Sequence, residues 1–284
     1  MAIDFKGKVA IVTGAGGGLG RTHALELAKR GAKVVVNDLG GAMDGTGGSS
    51  AAADKVVEEI KAAGGEAISN GSSVSDEKGV ENLVKQTMEK FGRIDILINN
   101  AGILRDKSFK KMENADFRLV VDVHLMGSVY CTKAVWPIMS EQNYGRIVMT
   151  TSPSGLYGNF GQANYGAAKL GVVGFMNTLK IEGQKNNIRV NAIAPVAATR
   201  MTENLMPAQM LERLGPELVT PGVVFLCSED APSGAVLQAQ GGTFSVATIV
   251  ESPFVNLASN CTVEAVAENW PKISDLSAAK PRSR

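Results

Sequence analysis

A doubly wound parallel sheet of about seven strands, with helices on both faces, is the α/β architecture this sequence predicts. Two observations carry the expectation. Short continuous apolar runs alternate with stretches of helical spacing from Val9 to Gln240. The first of those runs breaks directly into a glycine-rich turn that opens a helix. Hydrophobic residues make up 44% of the 284, enough to fill a substantial core.

Val9–Thr13 reads as a strand buried on both faces. Gly14-Ala-Gly-Gly-Gly-Leu-Gly20 follows, and Thr22–Arg30 carries Ala24, Leu25, Leu27 and Ala28 at helical spacing. Glycines at 14, 18 and 20 let the backbone turn tightly and approach a pyrophosphate, whose charge a helix N-terminus favours. A Rossmann-type dinucleotide site is therefore the favoured reading of this turn. Lys33–Asn37 is the second strand, and Asp38 stands at its end. A carboxylate there accepts hydrogen bonds from ribose hydroxyls and repels a 2′-phosphate. The one cation near enough to welcome that phosphate is Arg21, so NAD is expected over NADP. Ala42–Ser50 reads as a flexible surface loop.

Ala51–Ala63 is an amphipathic helix, Glu66–Ser69 a weak third strand, and Ser73-Val74 a place where the chain passes an adenine ring. Glu77–Phe91 is the next helix and Ile94–Ile98 the fourth strand. Asn99-Asn-Ala-Gly102 closes that strand with small residues, and Asn100 can satisfy neighbouring main-chain groups. Phe117–Met139 reads as one long helix with His124 inside it, expected to be structural, and a kink near Pro137. Arg146–Ser152 is the fifth strand. Tyr165 and Lys169 lie four apart on the following helix, which begins near Gln162, and so share one face. A lysine ammonium beside a phenol favours the phenolate, making Tyr165 a usable acid or base. The hydroxyl of Ser152, at the strand end, can reach the same place.

Ile188–Ile193 is the sixth strand, leading into Pro195. Ala197–Gly215 has three methionines and suits a mobile segment over an apolar ligand. Pro221–Ser228 is a short helix and Ala235–Gln240 the last strand. Beyond it, Thr262–Trp270 looks like a capped helix. No repeat or linker divides the chain, so residues 1–284 are expected to form one domain, with 245–284 as an extension.

Composition narrows the partners. A net charge of +1 gives no reason to expect nucleic acid. Cys131, Cys227 and Cys261 are too scattered for a metal site or a disulfide framework, which points to reduced thiols and a cytoplasmic setting. No apolar run is long enough for a membrane span, the N-terminus lacks signal-peptide character, and Pro-Arg-Ser-Arg is not a Ser-Lys-Leu address.

Thr13-Gly-x-x-x-Gly-x-Gly20, Asn99-Asn-Ala-Gly102, Ser152 and Tyr165-x-x-x-Lys169 occur in that order, and together they resemble the short-chain dehydrogenase/reductase superfamily over Phe5–Gln240. Within it the chain looks most like the (3R)-hydroxyacyl-CoA dehydrogenase units of the peroxisomal multifunctional type 2 (17β-hydroxysteroid dehydrogenase type 4) group. That likeness rests on Val36-Asn-Asp-Leu-Gly-Gly41, Asn100–Asp106, Val123-His-Leu, Gly158–Tyr165 and Arg200-Met-Thr, and extends over the tail Thr262–Pro281. The resemblance implies Tyr165 as catalytic acid/base, Lys169 as its modulator and a holder of the nicotinamide ribose, and Ser152 as the residue orienting substrate oxygen. Gly14, Gly18, Leu19, Gly20, Asp38, Ser73, Val74, Asn100, Gly102, Ala197 and Thr199 fall on cofactor positions. It implies NAD, an acyl-CoA or steroid substrate, no metal, and a homodimer or homotetramer. The leading expectation is NAD-linked oxidation of a 3-hydroxyacyl thioester. A 17β-hydroxysteroid or steroid side-chain thioester is the second, and a non-catalytic dinucleotide-binding protein the third. Three features depart from the common pattern: His124 in place of Asn, Pro153 after the serine, and Pro195-Val196 in place of Pro-Gly.

Overall fold

The computed structural model describes residues 3–199 and 208–281 and divides into two compact units, residues 1–246 and 247–284. The first unit is built on one eight-stranded sheet in the order β3-β2-β1-β4-β5-β6-β7-β8. Its strands are β1 (Val9–Thr13), β2 (Lys33–Asn37), β3 (Glu66–Asn70), β4 (Ile96–Asn99), β5 (Gly145–Thr150), β6 (Ile188–Val196), β7 (Val236–Gln240) and β8 (Thr243–Ala247). β1 to β7 run parallel to their neighbours, with Val12 of β1 opposite Val36 on one side and Ile98 on the other. β1, β4 and β5 are buried along their whole length, as expected of strands covered by helices on both faces, β5 even at Arg146. The crossover helices are α1 (Gly18–Lys29), α2 (Ala51–Ala62) and α3 (Glu77–Phe91). They continue with α4 (Asn114–Val121), α5 (Gly127–Glu141), α6 (Pro153–Tyr157) and α7 (Ala163–Glu182), then α8 (Ala208–Leu211) and α9 (Thr220–Leu226).

The strand order reverses between β1 and β4. The loops after these two strands leave in opposite directions, opening a crevice at their carboxyl ends, where open α/β sheets bind ligands.

Four elements differ from the sequence reading. The eighth strand follows β7 through Gly241 and Gly242, at φ +53° and +80°. Two left-handed residues make a tight hairpin turn, so β8 returns along β7 instead of crossing over. The expected helix Phe117–Met139 is interrupted by a wide turn, Asp122–Met126, between α4 and α5. The fifth strand ends at Thr150, and Ser152 instead caps α6, accepting the Ser154 N–H on Oγ at 3.2 Å with Pro153 in the first turn. The loop 42–50 does not hang free: Leu104 N–H donates to Met43 O at 3.0 Å and Arg105 Nε donates to Asp44 O at 2.9 Å. Of the expected methionine-rich segment, residues 200–207 lie outside the described residues.

The second unit holds α10 (Val263–Ile273) and the short antiparallel pair β9 (Val250–Glu251) and β10 (Lys280–Pro281). Thr262 caps α10 by accepting the Ala265 N–H at 3.1 Å.

Candidate active site

The crevice at the switch point is a cleft of about 380 Å³. Its floor is the glycine turn. Gly14 and Gly18 hold φ of +63° and +50°, a conformation a side chain would strain. Gly17 starts α1 without a side-chain cap, and no acid sits in the first turn, so the helix presents unpaired N–H groups to the cleft. Such a terminus fits a pyrophosphate. A Cβ on Gly20 would stand 2.3 Å from Gly14 O and 2.6 Å from Asn100 Nδ2, so this glycine lets the helix close on the strand ends. Asn100 Nδ2 donates to Thr13 O at 2.9 Å and to Gly14 O at 3.0 Å, tying the two loops of the switch point together.

Gly14, Gly18, Leu19, Asp38, Ser73, Val74, Asn100, Gly102 and Thr199 all line the cleft. Gly20 and Ala197 stand behind the wall, and both are buried. Asp38 is oriented by two main-chain donors, Gly16 N–H and Gly40 N–H, each at 2.7 Å. Arg21 is committed to Glu59, with Nε 3.3 Å from Oε1 and a second, shorter contact from Nη2 to Oε2. The sequence reading missed the part of the wall made by Leu39, Gly41, Ala42, Met43 and Gly45. Its signal was there: Leu39 and Met43 are large apolar residues in an otherwise small and polar loop.

Beside the cleft, β5 and α7 bring three predicted side chains together. Ser152 is 8% exposed, and its hydroxyl is near enough to the half-buried Tyr165 phenol to favour the phenolate. Lys169 is 3% exposed, with Nζ 2.6 Å from Thr150 O and 5.5 Å from the centre of the Tyr165 ring. Thr151 Oγ1 donates to Lys169 O at 2.6 Å, which locks α7 to the strand end. Gly155 allows this closeness, since a Cβ there would meet Lys169 Cβ at 2.7 Å.

The electrostatics differ from the expectation of a phenol lowered by its lysine neighbour. Burial pushes Tyr165 up to about 12, partly offset by the Ser152 hydrogen bond and reinforced by the negative charge of Asp106. Burial also drives Lys169 down to about 7. The lysine donates to a carbonyl, and desolvation penalises its charge, so without a ligand it does little for the phenolate.

His124 sits in the wide turn between α4 and α5. Its ring meets the Tyr165 ring edge-on at 5.1 Å, and Nε2 lies 2.8 Å from Ile103 O and 3.1 Å from Ile103 N. Burial and the charge of Lys169 hold it well below the usual histidine range, so it is neutral. Its Nδ1 is buried without a hydrogen-bond partner. A wide helical turn at such a place is typical of functional sites. Among the described residues no cluster of His, Cys, Asp or Glu could hold a metal.

Known proteins are similar to this chain. The model of the family described as short chain dehydrogenase matches residues 8–210. Peroxisomal multifunctional enzyme A of Dictyostelium discoideum is 53% identical over 97% of this chain and 62% of its own length. Full-length peroxisomal multifunctional enzyme type 2 from Drosophila melanogaster superposes with a TM-score of 0.83 at 40% identity, over 99% of this chain and 48% of that one. A 7α-hydroxysteroid dehydrogenase complexed with NADH and 7-oxo glycochenodeoxycholic acid gives 0.76 at 31% identity, over 84% and 95%. The chain thus spans less than two thirds of the multifunctional relatives it matches.

Proposed function

From the premise that this chain belongs to the short-chain dehydrogenase family, we propose that it is an NAD-linked oxidoreductase interconverting (3R)-hydroxyacyl-CoA and 3-ketoacyl-CoA. The observation that carries the reading is the meeting of Ser152, Tyr165 and Lys169 beside a dinucleotide-shaped cleft closed by Asp38. Bound nicotinamide dinucleotide supplies the hydride acceptor. The chain does the rest. Ser152 Oγ holds the substrate oxygen, and Tyr165 takes the hydroxyl proton as the carbinol hydride leaves. Lys169 holds the ribose, and positive charge gathered near the phenol lowers it from its unliganded value. The homologues named multifunctional enzymes support the acyl thioester as substrate, and the hydroxysteroid dehydrogenase keeps a steroid as the second candidate.

NAD is preferred on two grounds. Asp38 lines the cleft, where its carboxylate would repel a 2′-phosphate, and Arg21 is held by Glu59. The test is NADH absorbance with acyl-CoA and steroid panels, run with both cofactors. We expect thioester oxidation, with kcat/KM for NAD roughly tenfold or more above NADP, and a ratio that collapses in Asp38→Ala. Better turnover of steroids, or equal efficiency with NADP, would reject the corresponding part of the reading.

Residues 1–284 are taken as one family-type domain with 245–284 as its extension. A homodimer is proposed through α5 and α7. α7 carries Gly166, Ala167 and Leu170 on one side, with Leu170 49% exposed, and small residues of this kind suit close helix packing. A monomer in light scattering at micromolar concentration would refute it. Among the described residues no helix is long and apolar enough to cross a membrane. The cytoplasm, suggested by the scattered thiols, and the peroxisome, suggested by the relatives' names, are told apart by cell fractionation.

A further inference from the structure

We propose that Arg105 latches an arch of chain over the dinucleotide and so sets how fast the cofactor leaves. The inference rests on the reading that the cleft holds a nicotinamide dinucleotide. β1 lies between β2 and β4 in the sheet, parallel to both, and the glycine turn rises from its carboxyl end. Loop 39–49 leaves the same end of β2 and folds back on itself. Ala42 N–H donates to Thr46 O at 2.7 Å, Gly45 N–H to Ala42 O at 3.0 Å, and Ser49 N–H to Leu39 O at 2.8 Å. Its tip lands on the far wall of the cleft. A Cβ on Gly45 would stand 3.2 Å from Ile103 Cδ1 and 3.8 Å from Leu119 Cδ2, and both residues line the cleft on the β4 side. The loop thus spans from β2 to the chain beyond β4, and Met43 and Gly45 share the lining with Gly14 and Gly18. A ligand seated on the glycine turn lies between that turn and the arch.

Two hydrogen bonds tie the tip down, from Leu104 N–H to Met43 O at 3.0 Å and from Arg105 Nε to Asp44 O at 2.9 Å. The first is an ordinary main-chain bond. The second is charge-assisted, and its donor is itself anchored. Arg105 Nη1 donates to Asp116 Oδ1 at 2.8 Å, and Asp116, in α4, is 7% exposed. The two bonds use different nitrogens of one planar guanidinium, so the fixed carboxylate aims Nε at the loop carbonyl. A single ammonium cannot reproduce that fork.

Lys107 supplies the contrast. Its Nζ donates to the other oxygen, Asp116 Oδ2, at 3.1 Å, and its main-chain N–H goes to Gly161 O at 2.9 Å. It shares the anchor with Arg105 and not the loop. A ligand under the arch leaves when the tip lifts, and losing a charge-assisted bond at the tip makes lifting easier.

The experiment uses the wild type, Arg105→Lys, Arg105→Ala and Lys107→Ala. Stopped-flow displacement of NADH by excess NAD reads the dissociation rate. Amide hydrogen exchange of the unliganded protein reads the tip, residues 42–46, without any cofactor. We expect NADH to dissociate about tenfold faster from both Arg105 variants. Exchange should quicken at the tip and stay unchanged in β1, and KM for NAD should rise with no fall in kcat. Lys107→Ala should match the wild type in both measurements. Unchanged dissociation in the Arg105 variants overturns the inference. So does an equal rise in Lys107→Ala, which assigns the effect to the charge balance of Asp116, or a rise confined to Arg105→Ala, which makes the fork irrelevant. Faster exchange throughout β1 and α1 would show general loosening and overturn it as well. A wild type that binds no NADH removes the function proposed above, and the inference with it.

Discussion

Tyr165→Phe should lower turnover on a verified substrate by about 10²–10⁴, the usual worth of a positioned acid–base group. Phenylalanine keeps the ring that meets His124 edge-on and loses only the hydroxyl. Circular dichroism and NADH titration should therefore stay close to wild type. The pH profile gives a second readout. The deprotonated phenol is the form that accepts a proton, and burial raises its pKa, so alcohol oxidation by the wild type should climb with pH. The residual rate of the variant should lose that slope. Two companions separate the roles: Lys169→Ala should lose turnover and weaken NADH binding together, and Ser152→Ala should mainly slow the chemical step. Near-normal turnover in Tyr165→Phe would sink the mechanism and make His124 the next residue to test.

The second large effect is expected at Gly20→Ala. The added carbon would stand 2.3 Å from Gly14 O and 2.8 Å from Ala15 Cα, backbone atoms with nowhere to retreat. Over-packing of this kind costs about 1–3 kcal/mol, and about 2 kcal/mol lowers Tm by roughly 4–8 °C in a chain of this size. The displaced helix start should also weaken NADH binding by an order of magnitude or more. Gly17→Ala is the control for folding, because a Cβ at that position meets nothing within 4 Å and its φ of −168° suits any residue. Thermal melts and NADH titration of both variants decide it. Equal Tm for the two would show that the Gly20 contact is not a constraint.

Much of this was readable beforehand, for physical reasons. β1 and β4 are buried on both faces, so each needs a largely apolar run, and such runs are plain in sequence. The glycine turn, Asp38 and Asn100 were legible because backbone geometry limits which residues fit there. The β8 hairpin was missed although Gly241-Gly242 is a turn signal, because Thr243–Ala247 is largely exposed and carries no strong apolar run. The wide turn at Asp122–Met126 was not legible, since one extra residue in a turn hardly disturbs the spacing of the flanking apolar positions. The state of Lys169 and Tyr165 was misjudged for a different reason. Spacing told that they share a helix face, but their charges answer to burial, which local sequence does not contain.

Gly102 and His124 form one steric unit across two loops. A Cβ on Gly102 would fall 2.3 Å from Cε1 of the imidazole and 2.9 Å from Nδ1, so the ring occupies the space a side chain would need. The ring cannot easily step aside, because Nε2 is held by Ile103 on one edge and Tyr165 stands against it on another. Change at this place is therefore ordered in time. A lineage that replaces His124 by something smaller frees position 102 to vary afterwards, while the reverse order must pass through an ancestor with a displaced ring beside its catalytic tyrosine. The two positions are sterically coupled, so substitutions at 102 and 124 are expected to be non-additive.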